Sequence, residues 1–218
     1  MPHHPDNFRA VNLLAFQDAA FCVAFRICFF MWRRQGGKSY TIASKAIDRM
    51  IEKPWRNCFF VSASIATGKE IVEKEATIWH DALGALKACQ DKLGKQLGGN
   101  VIDKTSKELL NVDDLAELMD KQAAQVRIYH TRTAYSRTKI LAPNPDTARG
   151  WTGDVFGDEI GFWPDFKGVW DAVEPIISRN PEFLFWLFST PPADDTHYTY
   201  DLLNPGLRTF EPNAAGNW

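Results

Sequence analysis

Three short groups of residues carry side chains suited to phosphate chemistry. Gly36-Gly37-Lys38-Ser39 follows the apolar run AFRICFFMW. A phosphate-binding loop needs a strand, a tight turn presenting backbone N–H groups, and a helix whose N-terminus points at the phosphates. In that setting Lys38 reaches the β- and γ-phosphates, and the Ser39 hydroxyl is a ligand for Mg²⁺. The usual pattern GxxxxGK[ST] is incomplete, because Trp32 occupies the place of its first glycine. The second group is Asp158-Glu159, reached through Val155, Phe156 and Gly157. A carboxylate at the end of a buried strand suits a metal shell, and the next one suits a general base acting on water. The third is Ser189-Thr190, which ends the apolar run FLFWLF ahead of two prolines. A hydroxyl there is placed to sense the γ-phosphate, although hydroxyls often cap a strand before a turn with no further role.

These groups need elements to hold them. Residues 59–62, 126–130, 139–141, 154–156 and 183–188 are rich in β-branched and aromatic residues with few charges, which predicts short buried strands. After Ser39, apolar residues from Ile42 to Ile51 recur at spacings of three and four, which predicts a helix closed by Pro54. The same periodicity predicts a helix over residues 69–86. Asp113 as an N-cap predicts a third to about Gln125. The polar segment 90–111, with its Gly-Gly break, reads as a surface excursion. Strands alternating with helices predict an α/β fold: a mostly parallel central sheet flanked by helices on both faces, in one domain spanning 1–218.

Composition narrows the class. The 218 residues are 45% hydrophobic and 24% charged, as in ordinary globular domains. No apolar run approaches the roughly 20 residues that span a bilayer, so no membrane role is expected. The N-terminus lacks a secretory pattern, and Cys22, Cys28, Cys58 and Cys89 lack CxxC pairing. Reduced, buried thiols and a cytoplasmic setting are expected. His3, His4, His80, His130 and His197 show no spacing for zinc. Net charge is −2, unevenly spread: residues 1–140 hold 21 Lys+Arg against 15 Asp+Glu, and residues 141–218 hold 4 against 12. The basic part suits a polyanionic partner.

With its three groups in this order, the chain resembles the ATPase domain of the large terminase subunit of tailed bacteriophages, the motor that packages DNA. The likeness runs from about Phe16 to about Pro192. Arg34-Gln35-Gly36-Gly37-Lys38-Ser39 is similar to that family's phosphate loop, which lacks the first glycine and carries an arginine. The resemblance implies a P-loop NTPase of the strand-inserted, RecA/ASCE-like class, binding ATP and Mg²⁺. It implies Gln35, Gly36, Gly37, Lys38, Ser39 and Tyr40 as nucleotide contacts, and Ser39 and Asp158 as metal-shell residues. Glu159 would be the base, and Ser189 and Thr190 the coupling motif. Arg34 would stabilise charge on the γ-phosphate, with Arg33 competing for that role. AFQDAAF is similar to the family's adenine-recognition stretch, which points to Gln17, and Arg149-Gly150 precedes the acidic motif as in the family.

The implied partners are double-stranded DNA gripped without sequence readout, a portal protein, a small terminase subunit and further copies in a ring. Only 26 residues follow Pro192, too few for the family's nuclease domain. Asp194, Asp195 and Asp201 are therefore left unassigned, and DNA cleavage is not expected of this chain. Two other readings fit the residues less well. One is a helicase-like, nucleic-acid-stimulated ATPase. The other is an ATP-dependent assembly module with little turnover, which has no need of Glu159 as base.

Overall fold

The computed structural model describes residues 13–62, 64–96, 119–122, 125–131, 133–144, 146, 152–178, 180–192, 196–197 and 199–200. The elements in chain order are α1 (Ala15–Phe21), β1 (Ile27–Met31), α2 (Lys38–Glu52), β2 (Asn57–Ser62) and α3 (Ile65–Gln96). Then come β3 (Met119–Gln122), β4 (Gln125–Tyr129), β5 (Tyr135–Leu141), β6 (Asp154–Asp158), α4 (Phe166–Ser178) and β7 (Phe185–Ser189). The strands form one seven-stranded sheet in the order β1-β7-β6-β2-β5-β4-β3. The ladders linking β1, β7, β6, β2 and β5 are parallel. At the other edge β4 pairs antiparallel with both β5 and β3. The expected mostly parallel α/β fold is present. The strand carrying Ser189 lies between the strand before the glycine loop and the strand ending in Asp158, the inserted-strand order.

Alternation along the central strands builds two cores. Cys58 and Phe60 of β2, Phe156 of β6, and Trp186 and Phe188 of β7 pack with Ile42, Ala46 and Met50 of α2 and Ile71, Val72 and Ile78 of α3. Their neighbours Phe59, Val61, Val155, Phe185 and Leu187 face the other way, against Phe166, Val169, Val173 and Ile176 of α4. Each central strand is thus apolar on both faces, as a sheet covered by helices on two sides requires. Among the described residues, no helix is long and apolar enough to cross a membrane.

Three expectations differ from the structure. Met119–Gln122, read as part of a helix starting at Asp113, pair antiparallel with Gln125–Ile128. A sheet edge that can accept a hairpin outweighs the local helical preference of this stretch. Helix α3 also runs on to Gln96, where a surface excursion was expected from residue 90. Lys, Gln and Leu there are good helix formers, and polarity alone had suggested a loop. Residues 111–118, Arg149, Gly150, His3, His4, Asp194, Asp195 and Asp201 lie outside the described residues. Of the thiols, Cys58 is buried but Cys22 is exposed, contrary to expectation.

The far end of the sheet from the glycine loop is fixed by charge. Asp154, fully buried at the start of β6, is held by Arg49 of α2 through Nε (3.0 Å) and Nη2 (3.3 Å), and accepts the Leu184 N–H at 2.8 Å. Arg49 also reaches Glu52 and the Glu182 carbonyl, both at 2.6 Å. Removing one member of a buried pair strands the other, which typically costs 3–5 kcal/mol. Asp154→Ala is expected to lower unfolding stability by about 3 kcal/mol in urea titrations with an unchanged slope.

Candidate active site

Because the parallel strands run the same way, their polar C-terminal residues meet at one edge. Register places Met31 opposite Ser189, and both Ser62 and Phe188 opposite Asp158. Above this edge the loop between β1 and α2 turns tightly. Gln35 and Gly37 both lie in the left-handed region, at φ 59° and 75°. Gly37 is also the residue before the first turn of α2, and a Cβ there would strike the Gln17 amide. Glycine meets both demands. A cleft of about 260 Å³ opens over the loop, lined by Gln35, Gly36, Gly37, Lys38, Ser39, Tyr40, Lys74 and Glu159.

The three motifs meet here. The buried Lys38 ammonium lies 3.1 Å from Glu159 Oε1 and 3.5 Å from the Arg33 carbonyl. The Ser39 hydroxyl donates to Asp158 Oδ2 at 3.2 Å. Glu159 Oε2 accepts both the backbone N–H and the hydroxyl of Thr190, each at 3.1 Å. Ser189 Oγ accepts the Gly161 N–H at 3.0 Å and donates to the Thr190 carbonyl at 2.7 Å. Glu159 itself sits at φ 51°, ψ 48°, left-handed for a residue with a Cβ. Such strain costs on the order of 1 kcal/mol and gathers at working sites.

Asp158 is the electrostatic weak point. Burial pushes its carboxyl up from 3.8 to about 6, and the Glu159 charge beside it adds to the rise. The Ser39 hydrogen bond and the charges of Lys38 and Lys74 pull it back only in part. Its Oδ1 is buried without a hydrogen-bond partner. An orphaned carboxylate oxygen beside a serine hydroxyl is a hard-oxygen donor set, which fits Mg²⁺.

Other expected residues stand further off. Gln17 is buried outside the cleft lining, and its amide spans two loops: Oε1 accepts the Leu14 N–H at 2.8 Å and Nε2 donates to the Gly36 carbonyl at 3.0 Å. The structure therefore shows Gln17 bracing the glycine loop from behind. Arg33 and Arg34 are exposed, and neither lines the cleft. Trp32 packs edge-on against Phe16, Phe30 and Phe188, a core contact. Lys74 was not anticipated. In EKEATIWH it reads as an ordinary charge on a helix surface, and only the packing of α3 beside α2 brings it to the cleft.

The family model for the N-terminal part of the T4-like type of terminase large subunit matches residues 29–216. Among solved structures, the large terminase of bacteriophage HK97 superposes with a TM-score of 0.59 at 14% identity, over 90% of this chain and 37% of its own. A mutant of the large terminase ATPase domain of Thermus phage P74-26 superposes with a TM-score of 0.51 at 17% identity, over 88% of this chain and 66% of its own. The chain thus spans less than two thirds of either, and at such identities the likeness establishes the fold. Among curated proteins, none matches significantly.

Asp158 generates a paired prediction. A carboxyl raised in the fold stabilises the protein below its unfolded pKa, and that stability is lost as pH rises through the folded value. The interval here is about pH 4 to 6. At pH 7.5 the charged Asp158 should therefore burden the ligand-free fold by on the order of 3 kcal/mol. Asp158→Asn should raise the melting temperature of the ligand-free protein at pH 7.5 and leave it little changed near pH 4. A fall at pH 7.5 would mean that Asp158 is held as a favourable anion.

Proposed function

The chain belongs to the terminase large subunit family, in its T4-like N-terminal type, and from that premise we propose that it is an ATP-hydrolysing motor domain for double-stranded DNA. ATP would lie in the cleft over the glycine loop, its phosphates against the first turn of α2, with Lys38 and Lys74 supplying positive charge. Ser39 and Asp158 would hold Mg²⁺, which when bound supplies Lewis-acid stabilisation of the phosphate oxygens. The observation that carries the reading is the Lys38–Glu159 ion pair at 3.1 Å, with Glu159 also anchored on Thr190.

That pair suggests an order of events. Without nucleotide, Lys38 occupies Glu159 Oε1, which is then in no position to take a proton from water. A γ-phosphate is a stronger lure for Lys38 than one carboxylate, so its arrival frees Oε1. Thr190 keeps the other oxygen fixed, and the freed carboxylate can accept the proton of the attacking water. Fixed donors around the phosphates, with Arg34 or Arg33 closing from the exposed side of the loop, would stabilise the developing charge. After phosphate leaves, Lys38 returns to Glu159. The change would be felt at Thr190, just past the end of β7, the strand between β1 and β6, and is the proposed link to DNA movement.

The remaining roles follow the family and are proposed for this chain on that ground. It would act in the host cytoplasm as one copy of a ring on a portal, aided by a small terminase subunit. DNA would be gripped along its phosphates by the basic part of the chain, with affinity falling steeply as salt rises.

The test is nucleotide binding and turnover with Mg²⁺, with and without double-stranded DNA. Lys38→Ala should lose ATP binding. Glu159→Gln should keep binding and lose turnover by about 10²-fold or more. Unimpaired turnover in Glu159→Gln would remove it as the base, and unimpaired binding in Lys38→Ala would end the reading altogether. Tight binding without turnover, even at high protein concentration and with DNA, would favour an assembly module.

A further inference from the structure

The last residue of β2 is unclaimed by the chemistry above. Ser62 is fully buried, and its hydroxyl has no hydrogen-bond partner. Parallel register sets it directly opposite Asp158 on the neighbouring strand, and adjacent strands lie about 4.8 Å apart. Both side chains emerge on the same face of the sheet. On β2, Cys58 and Phe60 alternate into the core beneath α2 and α3, and Ser62 continues that phase; on β6, Phe156 does the same and Asp158 continues it. The neighbour of Ser62 on that face is therefore a carboxylate whose Oδ2 is occupied by Ser39 and whose Oδ1 is also buried without a partner.

Two orphaned polar atoms side by side are costly in a buried edge, and each lacks what the other supplies: a hydroxyl donor and a carboxylate acceptor. In the structure they are not joined. We propose that Ser62 is a positioning residue for the metal shell, its hydroxyl donating to Asp158 Oδ1 in the Mg²⁺·nucleotide-bound state. The inference rests on the nucleotide-site reading above. It supplies what that reading leaves open, namely how the Asp158 carboxylate would be aimed when the cation arrives. Ser39 and Asp158 would hold the cation, and Ser62 would offer a further donor to the same carboxylate.

The test compares Ser62→Ala with the parent chain by titrating a non-hydrolysable ATP analogue calorimetrically, once with Mg²⁺ and once with EDTA. Outer-shell partners of metal ligands are commonly worth 10- to 100-fold in affinity or activity. Affinity with Mg²⁺ should fall about tenfold, and affinity in EDTA should stay the same. The ligand-free melting temperature should hold or rise, because the mutation deletes an unsatisfied buried hydroxyl. Equal affinities in both media would overturn the proposal. So would matching losses in both, or a lowered ligand-free melting temperature, either of which marks a structural role. Lys38→Ala in the same titration separates the two readings: if it leaves binding intact, the nucleotide site falls, whereas its loss of binding beside an unaffected Ser62→Ala removes only Ser62.

Discussion

The Glu159 carboxylate is where the separate parts of this site are tied. One oxygen meets Lys38, from the turn after β1, and the other meets two donors of Thr190, from the end of β7. The residues it joins are 121 and 31 positions away along the chain, and only the parallel sheet brings them together. Since β7 sits between β1 and β6, a change in the glycine loop has a short route into the sheet. Alternating burial on the central strands, the two helical layers and the shared polar edge all serve to hold that carboxylate in place.

Holding it there sets charges against one another. Asp158 and Glu159 are consecutive carboxylates, and the first is deeply buried. Their mutual repulsion is offset by Lys38 and Lys74 without being cancelled. The backbone at Glu159 is left-handed, while Gly157 just before the pair packs so tightly against Leu187, Trp163 and Ile160 that no side chain fits. A site of this kind is electrostatically frustrated, and the Mg²⁺ and nucleotide proposed for it would relieve both carboxylates at once. At the opposite end of the same strand, Asp154 shows the contrasting case: a buried carboxylate whose hydrogen bonds to Arg49 and Leu184 are all made within the protein.

The sequence was most legible where one physical rule acted alone. Strands buried on both faces announce themselves as apolar runs, and the periodicity of α2 is undisturbed from Ile42 to Met50. Lys38, Ser39, Asp158, Glu159, Ser189 and Thr190 were each marked by standing at the end of such an element, and the fold gathers all six. Where tertiary pairing decides, local reading failed: the edge strand at Met119–Gln122 has no β-branched residue to announce it, and the last turns of α3 are polar enough to pass for a loop. Lys74 and Ser62 were hidden for another reason. Neither adjoins a motif, and their place at the site follows from helix packing and strand register, which no short window of residues contains. Gln17 was singled out as an adenine contact, and in the structure its amide donates to the backbone carbonyl of Gly36 in the glycine loop.

The position of β1 at the margin of the sheet carries a mechanical consequence. Among the described residues its ladder partner is β7, so the glycine loop is backed by β7 on its strand side and leads on the other side into α2, which is packed in the core. A shift of β7 would therefore reach the loop through the β1 ladder, with the core-packed α2 and the interior strands β6 and β2 as the frame against which it is measured.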